Sequence, residues 1–221
     1  GLVGSEMCIR DRANTSAYLD DHAFLIDGLL TLLSARWRDS DLSFAIALAD
    51  VLIEQFEDPD KGGFFYTAND CEQLIHRQKT FFDDALPSGN GTAVCALLEL
   101  GRLIGEMRYV ETAERALRAG MTKAGSWPSA HTTLIRGMLD STRPAPRVML
   151  RCADPDAIAA WVSIAAANLS TRSRIYVIPD SAVDVPGAYG GCASKDGVPV
   201  LAYVCTGQQC GAALLDTARF A

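Results

Sequence analysis

The sequence lacks long apolar runs, an excess of basic residues and a dinucleotide-binding motif, and each absence excludes a class of protein. No apolar run reaches the roughly 18 residues that a membrane-spanning helix needs. The net charge of −7 argues against nucleic acid, because phosphate backbones are bound by basic surfaces. No G-x-G-x-x-G follows a strand-like segment, so no dinucleotide site is predicted. We therefore expect a soluble, cytoplasmic protein without a cofactor that binds neither nucleic acid nor a membrane.

Cysteine occurs seven times, an odd number that does not suggest a disulfide framework. Cys95 and Cys152 lie in apolar stretches and are expected to be buried thiols, which fits a reducing compartment. Cys192, Cys205 and Cys210 raise the alternative of a metal site in the tail. However, the spacing between the last two is not that of a usual zinc knuckle, and no fourth ligand is evident nearby. No metal site is predicted.

The segment GLVGSEMCIRDR at the start of the chain fits neither a signal peptide nor the helical pattern after it. It resembles translated adapter sequence, so residues 1–12 are treated as non-native. The chain is then expected to be a fragment that begins inside a domain.

Apolar residues recur at helical spacing through most of the first 140 positions and predict five helices. These cover about residues 16–38, 40–57, the end of TFFDDALPSGNGTA to 104, 107–124, and the stretch between SWPSAH and TRPAPR. GGFFY, between helices two and three, is predicted to form a short strand. Helices two and four share a pattern, which indicates tandem helical hairpins. Helices one, three and five would form an inner layer, with two and four outside.

From residue 145 the pattern changes to short β-type runs, RVMLRC, SRIYVIPD and VPVLAYVC, with one amphipathic helix after the first. This order predicts a β-α-β unit with a further strand. We interpret it as a small structural module appended to the helices.

Polar residues gather at the predicted starts of the three inner helices. They are Asp20 and Asp21 at helix one, Asp83, Ser88 and Asn90 at helix three, and His131 at helix five. Each type has an ordinary explanation, as a helix cap, a first-turn acid or a buried imidazole. Parallel inner helices would nevertheless bring all of them to one face, which favours a cleft there.

The segments LDDHAFLIDGLL, GGFFYTAND, FFDDALPSGNGTA and PSAH, in this order, resemble motifs of the spermatogenesis-associated, thioredoxin-domain-containing protein family. The resemblance runs through residues 16–140 and more weakly to AYVC. It implies a thioredoxin-like domain followed by a six-hairpin (α/α) barrel, similar to the barrels of N-acylglucosamine 2-epimerases and six-hairpin glycosidases. This chain does not contain the thioredoxin-like domain. It also departs from the family pattern at His22, usually Tyr, and at Asp84, usually Gly.

The resemblance implies a mainly α fold class. Residues 13–144 would form a partial (α/α) six-hairpin barrel of about two and a half hairpins, and residues 145–221 the small α/β module. A complete barrel needs about 300 residues, at roughly 50 per hairpin. The missing N-terminal part of the same protein is therefore an expected partner, and exposed apolar flanks predict association.

The resemblance also implies carbohydrate chemistry on a small-molecule ligand, either sugar epimerisation or glycoside hydrolysis. In this interpretation Asp83 and Asp21 are the acid and base, and His131 is a proton shuttle. The predicted substrate-binding residues are Asp20, Asn90, Ser88 and the two stacking aromatics Phe65 and Tyr66. The alternative is a non-catalytic module that binds a ligand or a partner chain and uses the acids only as caps.

Overall fold

The structure, a computed structural model, describes residues 17–70, 77–152, 155–182 and 200–217. The adapter-like residues 1–12 lie outside these ranges. The described part is mainly helical with one small sheet, which confirms the predicted class at this level. Its elements are α1 (Leu19–Ala35), α2 (Asp39–Phe56), α3 (Gly89–Ile104), α4 (Met107–Ser126), α5 (Thr132–Thr142), β1 (Arg147–Cys152), α6 (Pro155–Asn168), β2 (Arg174–Pro179), β3 (Val200–Thr206) and β4 (Gln209–Cys210). None of these helices is long and apolar enough to cross a membrane.

All five helices predicted before residue 145 are confirmed, and α3 shows why its ends lie where they do. Ser88 is its N-cap and accepts a hydrogen bond from the backbone N–H of Gly91 at 3.1 Å, which satisfies one of the donors left over at a helix start. Gly105 ends the helix with a φ of 76°, a left-handed conformation that glycine adopts without strain.

Helix α3 lies at the centre of the helical part. The central helix α3 packs against α1 and α5 on its two sides and against α4 behind. Polar contacts join the outer helices α2 and α4: Arg115 Nη2 lies 2.6 Å from Glu57 Oε1, and the Tyr109 hydroxyl lies 2.6 Å from Asp50 Oδ1. Because α3 is enclosed, nearly all of its residues are buried.

The predicted strand at GGFFY is wrong. The segment makes a single bridge, between Glu57 and Phe64, because Gly62 and Gly63 turn the chain with φ values of 72° and 79°. The Asn90 side chain makes the hydrogen bonds to Phe64 that a neighbouring strand would otherwise make. Its Oδ1 accepts from Phe64 N at 2.7 Å, and its Nδ2 donates to the carbonyls of Phe64 and Thr80, both at 2.8 Å.

The sheet has the order β2-β1-β3-β4. β1 and β2 are parallel, which confirms the predicted β-α-β pairing, and β3 lies antiparallel on the other side of β1. Side chains of β1 alternate between two cores. Met149 faces the helical layer, whereas Val148 and Leu150 pack with Trp161 of α6. One face of the sheet therefore closes directly over the helices.

Cysteine is used in two ways. Cys95 and Cys152 are buried thiols, as predicted. Cys205 and Cys210 form a disulfide, so the expectation that disulfides are absent is wrong for this pair. The reason is the register of the β3–β4 hairpin, which places the two residues directly opposite each other. Neither can then act as a thiolate ligand, and Cys192 lies outside the described residues.

Asn90→Ala should lower the free energy of unfolding by roughly 3 kcal/mol, since it leaves three buried backbone groups without their partner. Asn69→Ala is the matched control, because the Asn69 amide is exposed and donates one bond, to Glu54 O at 3.1 Å. It should cost under about 0.5 kcal/mol. Urea unfolding of the two variants measures the difference. Equal costs would show that Asn90 does not hold the Phe64 segment.

Candidate functional site

The starts of α1, α3 and α5 lie together on one face of the helical layer, which we call the rim. A Cβ atom added to Gly89, the first residue of α3, would lie 2.0 Å from Asp20 Oδ1 in the first turn of α1. A larger residue at that position would require the Asp20 side chain to move. Asp83 connects α3 with α5 by hydrogen bonds. The rim thus brings together residues that are more than 100 positions apart in the chain.

Asp83 joins the starts of α3 and α5 through both carboxylate oxygens. Oδ1 accepts from Ser88 N at 2.9 Å, and Oδ2 accepts from Thr133 N and the Thr132 hydroxyl, both at 2.8 Å. Partial burial acts to raise the pKa of Asp83, but these hydrogen bonds outweigh it and hold the pKa below its usual value. Asp83 is therefore ionised and bonded on both oxygens, and it has no proton to donate.

Ser88 and Asn90 also use their side chains within the protein. The Ser88 hydroxyl caps α3, and the amide of Asn90 is fully buried and bonded to the backbone of Phe64 and Thr80. Both residues nevertheless line the cavity that opens at the rim. Their role there is to shape the wall.

That cavity, the rim cleft, has a volume of about 450 Å³, within the range of small-molecule sites. It contains four of the residues predicted to bind substrate, namely Asp20, Tyr66, Ser88 and Asn90. The rest of its lining is Leu19, Gln78, Thr80, Phe82, Asp84, Ala85, Leu86, Pro87 and Gly89.

Asp20 is the acid whose environment is most altered at the rim. Burial, with a smaller contribution from the charge of Asp21, raises the pKa of Asp20. No hydrogen bond to its carboxylate is found among the described residues. Asp21, in contrast, is exposed and accepts from Tyr18 N at 2.8 Å, as a first-turn residue that caps its own helix does.

His131 lies outside the rim cleft, in a neighbouring groove of about 400 Å³. Phe82 lines both cavities and separates them. His131 is buried, and its Nδ1 lies 2.8 Å from the carbonyl oxygen of Trp127. A carbonyl can only accept, so Nδ1 carries a proton, and Nε2 takes no part in this bond.

The aromatic residues at the rim differ from those predicted. Phe65 does not line the rim cleft: the Arg77 guanidinium covers its ring at 4.1 Å and Lys79 Nζ lies at 5.3 Å. Tyr66 does line it. Sequence reasoning missed Phe82 and Trp127, which are 42% and 60% exposed and pack edge to face.

Only the positions of these two aromatic residues in the sequence could have indicated that they lie at the rim. Phe82 directly precedes Asp83, and Trp127 directly precedes the PSAH motif. Within the described ranges, no group of three or more His, Cys, Asp or Glu side chains is placed to hold a metal ion.

Asp83→Asn should lower the free energy of unfolding by about 2 kcal/mol at pH 7, because its amide NH₂ would face a backbone N–H that needs an acceptor. The pKa of Asp83 is lowered on folding, so its stabilisation is present above the unfolded pKa of about 3.9 and is lost as the pH falls through the folded pKa. Urea unfolding at pH 7 and pH 3 should show the defect shrinking in acid. A defect of the same size at both pH values would contradict this role.

Asp20→Asn should change the stability in the opposite direction. The pKa of Asp20 is raised on folding, so its ionised form destabilises the fold at pH 7, and this penalty vanishes below the unfolded pKa. The variant should unfold at a higher temperature than the parent at pH 7 and at the same temperature at pH 3. A loss of stability at pH 7 would show that Asp20 has a structural partner.

The comparisons with known proteins agree with the resemblance seen in the motifs. The chain is similar to spermatogenesis-associated protein 20 of Rattus norvegicus and of Mus musculus, with 29% identity over 141 residues, or 63% of this chain. The Homo sapiens protein of that name is 27% identical over the same length. The match spans 18% of the length of each relative. No protein-family model matches the chain. These similarities support a distant relationship to the spermatogenesis-associated protein family.

Proposed function

We propose that the chain is part of a carbohydrate-active (α/α) barrel and that the rim cleft binds a sugar or a related polyhydroxylated molecule. The observation that carries this proposal is the state of Asp20. It is a half-buried carboxyl group with a raised pKa, set in a cleft where Thr80, Ser88 and Asn90 use their side chains in hydrogen bonds within the protein. Such a group is suited to donate a proton to a hydroxyl or glycosidic oxygen.

In this proposal Asp20 takes the general-acid role that the motif pattern suggested for Asp83. Asp83 has no proton to donate. Its bonds to Thr132 and Thr133 instead hold the start of α5 at the rim. A glycosidase requires two carboxyl groups about 5–9.5 Å apart. Asp21, the partner suggested by the motifs, is exposed and does not line the rim cleft, and the second carboxyl group in the cleft lining is that of Asp84.

His131 could exchange a proton through Nε2, since Nδ1 is engaged by the Trp127 carbonyl. Its groove meets the rim cleft at Phe82. A ligand that extends from Asp20 across Phe82 would therefore reach the imidazole. Epimerisation needs two proton-transfer groups on opposite sides of one carbon. Asp20 and His131 line different cavities, so this arrangement does not favour epimerisation.

The stacking surface is formed by Tyr66, Phe82 and Trp127. Tyr66 lines the rim cleft and stacks on Tyr18 at 4.8 Å. Phe82 and Trp127 present large exposed rings beside it. Exposed aromatic faces next to a carboxylate suit sugars, which combine apolar C–H faces with hydroxyl groups.

A non-catalytic binding module is the second candidate, and a specific observation favours it. The polar groups of Asp83, Ser88 and Asn90 all form hydrogen bonds within the protein itself. If Asp20 also served only for recognition, the cleft would bind its ligand without turning it over.

Titration calorimetry of the 221-residue chain with a panel of neutral mono- and disaccharides, combined with product analysis, tests both candidates. Asp20→Asn should lower turnover by about 10²-fold or more, as expected for loss of a general acid, with a smaller change in Kd. Asp60→Asn is the matched control, because Asp60 is exposed and lies outside both cavities. Binding without turnover, weakened by Asp20→Asn, would instead establish the binding module. Unchanged binding and turnover in Asp20→Asn would exclude both roles for this cleft.

A further inference from the structure

A third cavity lies away from the rim, where the sheet closes over the C-terminal halves of α1 and α3 and over α5. Its volume is about 570 Å³. We call it the arginine cavity, because five arginines line it: Arg102, Arg136, Arg147, Arg172 and Arg174. They come from α3, α5, β1, the turn before β2 and β2 itself, so only the folded chain brings them together.

The arginine cavity is strongly cationic although the chain carries a net charge of −7. Its lining contains two carboxylates, Glu99 and Asp140. Glu99 lies 3.7 Å from Arg147, and Asp140 lies 2.7 Å from Arg172. Arg174 is paired with Asp27, outside the lining, at 3.1 Å. Among the described residues, the other two of the five guanidinium groups have no carboxylate partner.

These two are Arg102 and Arg136. Within the described ranges, no carboxylate oxygen lies within 4.0 Å of either guanidinium group. Arg136 is exposed to solvent, and its side chain contacts the Cys95 thiol. Arg102 is 8% exposed and donates one bond to the carbonyl oxygen of Asp140, at 2.9 Å. A buried cation without a counter-ion is costly. The pKa of Arg102 is lowered by burial and next by the charge of Arg147, which agrees with this cost.

Arg147 adds a buried donor without a partner. Its side chain is 2% exposed, and its Nη2 donates to the carbonyls of Gly207 and Arg102 at 2.7 and 3.2 Å. Its Nε has no hydrogen-bond partner among the described residues. Buried donors of this kind are nearly always satisfied in proteins, and Arg147 lines the cavity.

The arginines also have a structural role, because they join the sheet to the helices. Arg147 of β1 reaches the backbone of α3, and Arg172 pairs with Asp140 of α5. In this role Arg102 donates to a backbone carbonyl, and Arg147 uses some of its N–H groups. It does not account for the buried charge of Arg102 or for a cavity of this size.

We propose that the arginine cavity binds a small organic phosphate monoester. A phosphate monoester carries about −1.5 to −2 charges at pH 7, which matches the two guanidinium groups that lack a counter-ion. The planar guanidinium fork suits bidentate contact with phosphate oxygens. A volume of about 570 Å³ exceeds what phosphate alone would fill, and the hydroxyl side chains of Ser34 and Thr171 in the lining can contact the organic part.

Titration calorimetry of the 221-residue chain in phosphate-free buffer tests this proposal, with glucose 6-phosphate, inorganic phosphate and glucose as probes. Glucose 6-phosphate should bind more tightly than inorganic phosphate, and added salt should weaken it. Arg136→Gln should raise its Kd by about ten-fold or more, the usual effect of losing one charged hydrogen bond. The matched control is Arg118→Gln, which removes an equal charge from an α4 side chain that is 69% exposed and should bind like the parent.

Arg102→Gln, checked for folding by its thermal transition, provides a second variant inside the cavity and should also weaken glucose 6-phosphate. Asp20→Asn should leave this binding unchanged, because Asp20 lies at the rim. The proposal is overturned if the parent chain binds neither phosphate, or if folded Arg136→Gln and Arg102→Gln both keep the parent affinity. It also fails if Asp20→Asn, and not Arg136→Gln, abolishes binding, since the ester would then occupy the rim cleft.

Discussion

Burial of α3 is the constraint on which the rest of the structure depends. A helix start exposes backbone donors, and at α3 water cannot reach all of them because helices enclose it. Ser88 and Asp83 satisfy the polar groups at this start, and Asn90 binds the Phe64 segment across it. Asp83 also bonds to the start of α5 through Thr132 and Thr133, and the backbone of Tyr66 accepts from Leu19 at the start of α1. These contacts leave Asp20 against the backbone of Gly89, in an environment that disfavours its charge.

The inner helices present opposite chemistry at their two ends. The rim carries carboxylates, hydroxyl groups and exposed aromatic rings, which suit a neutral polyhydroxylated ligand. The other end, closed by the sheet, carries an excess of guanidinium groups, which suit an anion. The sheet is therefore more than the appended extension that the sequence pattern suggested. Its strand β1 supplies Arg147, and its other residues complete the wall of a cavity that the helices alone would leave open.

The helices and the main strands were predictable because their signals are local. Apolar periodicity located α1 to α5, and the β-type runs located β1, β2 and β3. The predictions failed at two places. Phe64 bonds to the side chain of the distant residue Asn90 rather than to a strand, and the hairpin register places Cys205 opposite Cys210, five positions along the chain. At the rim, Asp20 and Tyr66 line the cleft, whereas Phe65 is covered by two cations instead.

The sequence by itself determined the order of helices and strands, the polar character of the inner helix starts and the likeness to a family, because each depends on residue types at short spacing. Only the tertiary structure decided the chemical state of those residues. Asp20 and Asp83 are the same residue type at neighbouring helix starts, yet burial raises the pKa of Asp20 and three hydrogen bonds lower that of Asp83. The arginine cavity depends in the same way on long-range packing. Burial and partners depend on residues far apart in the chain, so no local pattern contains them.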